Sequence, residues 1–164
     1  SILSRTSRNT EIMHEPQQFL SGTYQELNNI FTLFDGSMFM SAACGLINST
    51  TGVMYYFNCE HPWSILYRDN KADFIENELT MRKLGMPQDT EGPMIKKIQL
   101  FPGDVIIAGS DGRDDLEIQN IIDSDELRFL GIVEISNGNI QSIIANLDKM
   151  GNRTDDLSLV RIEL

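Results

Sequence analysis

Two short acidic stretches carry the side chains best suited to chemistry: Ser110-Asp111-Gly112 and Thr154-Asp155-Asp156-Leu157-Ser158. The first follows residues 105–108, a continuous apolar run that reads as a strand buried on both faces. The second leads into residues 157–164, which alternate as a closing strand does. Each aspartate therefore sits where a strand ends, aimed from a rigid scaffold into loop space. Hard divalent cations such as Mg²⁺ and Mn²⁺ prefer carboxylate oxygens and keep several of their waters. Gly112 lets the backbone approach a ligand closely. Asp-Gly is also a common turn, and Asp155-Asp156 also reads as a solvated loop. The residues alone reach an oxygen-ligand metal site built from two distant loops.

Other reactive side chains offer less. His61, one of two histidines, reads as a hydrogen-bonded residue at a strand end rather than a catalytic base. Cys59 lies two residues from it, but a thiol nucleophile needs a positioned partner that the sequence does not supply. With residues 48–52 as a hairpin turn, Cys44 falls opposite a position near Tyr56 and not opposite Cys59. The two cysteines therefore read as small buried hydrophobes of a reducing cytosol. The eight methionines, Met38, Met40 and Met54 among them, read as core filler.

The elements that must position these residues follow from spacing. Pro16 suits the first turn of a helix, and Leu20, Tyr24, Leu27, Phe31 and Phe34 form one apolar face over residues 16–34, stopped by Asp35-Gly36. Residues 38–47 and 53–58 flank an Asn-Ser-Thr-Thr-Gly turn and read as a hairpin. Residues 64–68 and 95–100 read as further strands. Residues 69–94 read as irregular connections with one short strand at 73–75. After Gly112 the spacing turns helical, in three segments: Leu116, Ile118, Ile121 and Ile122; then Leu127, Leu130 and Val133; then Ile140, Ile143, Ile144 and Leu147, with Gly151 as the stop. Meandering strands and segregated helices predict an α+β fold with helices packed on antiparallel sheet faces.

Composition bounds the function. The chain has 164 residues, 41% of them hydrophobic and 23% charged, which suits one compact domain with a real core. Its net charge of −11 argues against a nucleic-acid partner, and against a phosphorylated one too unless bound cations neutralise the field locally. No apolar run approaches a membrane span, and Ser1–Arg8 lacks the apolar core of a secretory signal, so a cytoplasmic protein is expected.

The order of the segments resembles the stage II sporulation E (SpoIIE/RsbU-like) branch of the protein phosphatase 2C (PPM) superfamily. The residues that carry the resemblance are Glu26-Leu27-Asn28-Asn29, Phe39-Met40-Ser41-Ala42, Thr51-Gly52 and Asn58-Cys59-Glu60-His61-Pro62. Leu100-Phe101-Pro102-Gly103-Asp104, Ser110-Asp111-Gly112 and Asp155-Asp156-Leu157-Ser158 continue it in order. The resemblance implies an antiparallel β-sandwich flanked by helices, an αββα arrangement with two or more Mg²⁺ or Mn²⁺ ions at one end. It implies direct attack of a metal-activated water on phosphoserine or phosphothreonine. Asp111 and Asp155 would then be metal ligands, Gly112 a close-approach position, and Asp156 a neighbour supporting or replacing Asp155. The expected substrate is a phosphorylated bacterial regulator, the STAS-type anti-sigma-factor antagonist of partner-switching signal transduction.

Departures sharpen these expectations. The family's first metal motif, a Gly-Asp hairpin, has no counterpart in residues 1–40, so residues 1–164 read as the C-terminal part of such a domain, starting inside its first helix. A chain lacking that part of a sheet would expose a strand edge open to self-association. Without the hairpin's aspartate, the alternative is a catalytically inactive phosphatase-fold interaction module or an inactive fragment. Glu60 stands where the family has Gly, Trp63 where it has a second Pro, and Ser110 where it has Thr. Arg113-Asp114-Asp115 stands where it has Val-Thr-Glu and adds negative charge beside the site.

Overall fold

The computed structural model describes residues 15–88, 92–118 and 121–164, with residues 121–124 as backbone. The helix end expected at Ser1–Arg8 lies outside the described residues. The chain forms two compact units, Ser1–His61 with Glu78–Leu100, and Pro62–Asn77 with Phe101–Leu164. The mixed α+β architecture with antiparallel sheets is the one expected.

The first unit is a helix on a three-stranded sheet. Helix α1 (Pro16–Thr32) opens on its proline and buries Leu20, Thr23 and Tyr24. It ends slightly earlier than its apolar spacing predicts, because Asp35 (φ 49°) and Gly36 (φ 79°) turn the chain left-handed just beyond it. Strands β1 (Ala42–Ile47) and β2 (Val53–Cys59) form the expected hairpin, and β2 also pairs with β5 (Lys96–Gln99). Asn48 closes the hairpin turn, its side-chain oxygen accepting from the backbone N–H of Thr50 and of Thr51, both at 3.0 Å. β1 is shorter than predicted; Met40 instead forms an isolated bridge with Leu84. Cys44 faces Phe57 and Cys59 faces Ala42, so both thiols are free. Leu20, Tyr24, Phe57, Cys59, Met81 and Leu84 make the core. Burial of Leu20 and of Phe57 stabilises the unit by about 1.5–3 kcal/mol each, and Tyr24 meets Phe57 edge-on at 5.8 Å.

The second unit carries both acidic stretches. Its four-stranded antiparallel sheet runs β10 (Leu159–Glu163), β6 (Val105–Gly109), β3 (Ile65–Arg68) and β4 (Lys71–Phe74). β4 lies two residues earlier than its predicted start. β10 is an edge strand with Val160 57% and Ile162 44% exposed. A second sheet runs β8 (Ile121–Ser124), β7 (Asp115–Ile118) and β9 (Asn152–Arg153). Here the sequence reading needs correction: Leu116, Ile118, Ile121 and Ile122 are strand residues of β7 and β8, not helical ones. A short apolar run fits both periods, and the β-branched isoleucines favour the pleated one. The other two segments are helices as predicted, α2 (Glu126–Ile135) and α3 (Ile140–Met150), capped by the side chains of Asp125 and Asn139. Ile65, Ile107, Leu116, Phe129, Ile143 and Leu147 centre the core. Among the described residues no helix is long and apolar enough to cross a membrane.

Candidate metal centre

Strand pairing brings the two acidic stretches together. In the β10–β6 ladder Leu159 lies opposite Gly109, so the residues just before β10 meet those just after β6. Backbone and side-chain bonds then stitch the loops. Ser110 N–H donates to the Ser158 carbonyl at 3.0 Å, the Ser110 hydroxyl donates to the Asp156 carbonyl at 2.9 Å, and Ser158 N–H donates back to that hydroxyl at 2.9 Å. One hydroxyl therefore serves both loops. At the level of sequence Ser110 is a small change from Thr, and its role across the two loops follows from the β10–β6 pairing.

Asp111 opens a 3₁₀ turn, Asp111–Arg113, closed by Asp114 N–H donating to the Asp111 carbonyl at 2.8 Å. The Asp111 side chain is exposed, and its carboxylate has no hydrogen bond or ion pair among the described residues. Asp155 and Asp156 are exposed as well. Asp156 N–H donates to Asp155 Oδ1 at 2.7 Å, which orients that carboxylate and leaves Oδ2 open. Asp156 acts through its backbone, holding Asp155 with its N–H and Ser110 with its carbonyl.

Gly112 lies against the second acidic loop. A Cβ there would lie 2.5 Å from the Asp156 carbonyl oxygen and 3.1 Å from that of Asp155. The second acidic loop comes this close to Gly112. Only glycine lets the Asp111 turn seat against Asp155-Asp156. Gly109 is similarly confined, its Cβ position lying 2.7 Å from the Ser158 carbonyl oxygen.

The Arg113-Asp114-Asp115 stretch also differs from expectation. Arg113 is the largest fully buried side chain among the described residues, and Asp114 is buried with it. Arg113 Nε donates to the Asp114 carboxylate oxygens at 3.2 and 3.3 Å, and Nη2 donates to the Trp63 carbonyl at 2.7 Å. Its Cζ lies 5.0 Å from the centre of the Phe129 ring. Arg113 and Asp114 thus neutralise one another instead of adding negative charge. Burial pushes the Asp114 carboxyl above its ordinary value, a shift the nearby Arg113 charge opposes without cancelling. Nη1 has no hydrogen-bond partner among the described residues. Leaving a buried polar group unsatisfied costs about 1–3 kcal/mol, more when it is charged.

Beside the stitched loops, Asp148, Gly151, Asn152, Arg153, Asp155 and Asp156 line an open hollow of about 500 Å³, with Arg153 paired to Asp148 at 3.2 Å. Among the described residues no group of three or more His, Cys, Asp or Glu side chains is placed to hold a metal. The donors present are exposed carboxylates on two adjoining loops, Asp111 on one and Asp155 and Asp156 on the other. That set fits a hydrated Mg²⁺ or Mn²⁺, which needs only one or two protein carboxylates and fills its shell with water and substrate oxygens. It does not fit a dehydrated protein cage.

The remaining reactive side chains are in the first unit. His61 is clasped by Asn58, which accepts from its N–H at 2.8 Å and donates to its carbonyl at 3.0 Å; its Nδ1 lies 3.2 Å from the Ser41 hydroxyl. That is the hydrogen-bonded strand-end histidine expected. Burial pushes the Cys59 thiol up to about 12, so it carries no thiolate at neutral pH.

Comparison with known proteins gives these loops a context. The sequence matches the family Stage II sporulation protein E (SpoIIE) over residues 2–164. No curated protein sequence matched. Among solved structures, the SiaA-PP2C domain of Pseudomonas aeruginosa is similar, with a TM-score of 0.69 at 13% identity, covering 88% of this chain and 59% of that one. The RsbU and RsbW domains of Rv1364c from Mycobacterium tuberculosis give 0.64 at 19% identity, covering 83% and 39%. The Mn-presoaked phosphatase domain of SpoIIE from Bacillus subtilis gives 0.55 at 14% identity, covering 86% and 64%. The chain thus spans less than two thirds of each of these structures. At such identities the likeness is one of fold, the protein phosphatase 2C fold. Together with the family match along nearly its whole length, it means that this chain belongs to the Stage II sporulation protein E family.

Proposed function

We propose that this chain is part of a metal-dependent phosphoserine/phosphothreonine phosphatase, with Asp111 and Asp155 as carboxylate ligands for Mg²⁺ or Mn²⁺. The observation that carries the reading is the stitched junction, where Ser110 and Gly112 hold an unpartnered Asp111 carboxylate against the Asp155-Asp156 loop. A divalent ion bound there would supply an acidified water and neutralise phosphoryl charge. Asp111 would offer a free carboxylate from a rigid turn. Asp155 would offer Oδ2 while its Oδ1 is held by the Asp156 N–H. The net charge of −11 makes such neutralisation a condition for admitting a phosphorylated substrate. The substrate class we propose is a phosphorylated regulatory protein of the STAS-type anti-sigma-factor antagonist kind, which the resemblance to the family implies.

A second reading is favoured by one observation: among the described residues no group of three or more His, Cys, Asp or Glu side chains is placed to hold a metal. It makes this chain a phosphatase-fold interaction module that is catalytically silent. Mn²⁺-dependent hydrolysis of a phosphoserine peptide decides between them. The phosphatase reading expects turnover that Asp111→Asn and Asp155→Asn each reduce by at least 100-fold. Absence of turnover in the unmodified protein, or turnover indifferent to both substitutions, overturns it.

A further inference from the structure

We infer that Arg113 is the positioning residue of the metal site: a buried guanidinium that fixes the Asp111 turn, so that metal affinity depends on a side chain sealed away from the metal. The inference rests on the reading of Asp111 as a ligand. Arg113 is the last residue of the turn that Asp111 opens. Its backbone N–H donates to the Ser110 carbonyl at 3.3 Å, and Ser110 is the residue whose hydroxyl joins the two acidic loops. Its side chain ties three separate parts of the unit to one rigid plane: Asp114 beyond the turn, the Trp63 carbonyl ahead of β3, and the Phe129 ring on α2.

The energetics point the same way. Apolar side chains of similar volume commonly replace a buried ion pair at no loss of stability. Here the pair is long, and Nη1 is unsatisfied among the described residues. Stability alone does not account for an arginine at this position. Geometry does, because the planar fork takes a carboxylate and a carbonyl at fixed angles, which neither an ammonium nor an apolar chain can do. Gly112 adds the complementary constraint, since it admits the Asp155-Asp156 backbone at a separation with no slack. A turn released on the arginine side would carry Asp111 out of register with Asp155.

The test is Mn²⁺ binding, read by the electron paramagnetic resonance signal of the free ion, in the whole protein and in Arg113→Met and Arg113→Lys. Loss of a residue that orients a ligand typically weakens metal binding about 10- to 100-fold, and Arg113→Met is expected to fall in that range. Arg113→Lys keeps the charge without the fork and is expected to weaken binding less. KM for a phosphoserine peptide is expected to stay constant while the Mn²⁺ activation constant rises. Leu147→Ala, a core truncation elsewhere in the unit, is expected to lower Tm without moving the Mn²⁺ constant. If Arg113→Met does not fold, Phe129→Leu removes the ring under the guanidinium and should shift the constant in the same direction. Unchanged Mn²⁺ affinity in the folded Arg113 and Phe129 variants, with affinity lost in Asp111→Asn, overturns this inference and leaves the metal site standing. No Mn²⁺ binding by the unmodified protein, or binding indifferent to Asp111→Asn, overturns both.

Discussion

The corner at Phe101–Asp104 and the turn at Asp111–Arg113 each set an aspartate against an arginine, and the two pairs differ in geometry, burial and titration. At the corner, Asp104 receives Arg68 Nε at 2.8 Å and Nη2 at 2.6 Å, and the Phe101 N–H at 2.7 Å. The Arg68 hydrogen bonds hold its carboxyl below the ordinary range, with the Phe101 N–H assisting and burial opposing. At the turn the bonds are longer, burial dominates, and the Asp114 carboxyl moves the other way. A short bidentate pair whose arginine reaches solvent offsets the cost of desolvation, while a sealed pair with an unsatisfied nitrogen does not. The first pair closes a corner of the scaffold. The second lies directly behind the proposed metal ligand, where position is worth more than stability.

The largest effect expected from this contrast is on folding free energy. Asp114→Ala leaves a guanidinium buried without its counter-charge and should destabilise the protein by about 3–5 kcal/mol. Asp104→Ala should cost less, about 1.5–3 kcal/mol, because Arg68 can turn into water. Urea denaturation of the two variants ranks them, and the reverse order would break the comparison. Next in size is Gly112→Ala, whose methyl must push the two acidic loops apart, at about 1–3 kcal/mol. Gly131→Ala on α2, where the added carbon meets nothing within 4 Å, should be neutral or stabilising by up to about 1 kcal/mol. Equal losses at both glycines would remove the argument from the junction.

The smallest effect is on pH dependence. The folded pKa of Asp104 lies below its ordinary 3.8, so the stability it contributes is present above 3.8 and is lost as pH falls through the lowered value. The folded pKa of Asp114 lies above 3.8, so its contribution is present below 3.8 and is lost as pH rises through the raised value. Tm measured against pH should therefore lose part of its acid limb in Asp104→Asn. In Asp114→Asn it should lose the decline that begins above 3.8. Changes of the same sign in both variants would contradict the assignment.

Much of the scaffold was legible because the signals were local. The spacing of Leu20, Tyr24 and Leu27 announces α1, Asn48–Gly52 announces the first hairpin, and the unbroken apolar run before Ser110 announces β6. The β7–β8 hairpin was not legible, because four apolar residues satisfy a helical period as readily as a pleated one. Asp111 and Asp155 stood out as carboxylates at strand ends, and strand pairing does bring their loops together. What spacing could not convey was how the loops are joined. A serine hydroxyl accepting across 48 residues and donating across 46 is a tertiary fact. An arginine in a polar run reads as surface, and only its burial under Phe129 reveals it as a support.

The measurement that bears most directly on the account is a double-mutant cycle of Mn²⁺ affinity over Asp111→Asn and Asp155→Asn. If both carboxylates hold one ion, each single variant should lose most of the affinity, and the double variant should lose far less than the two losses combined. Losses that simply add would place the carboxylates on separate ions. Affinity unchanged by either substitution would contradict the proposed metal site.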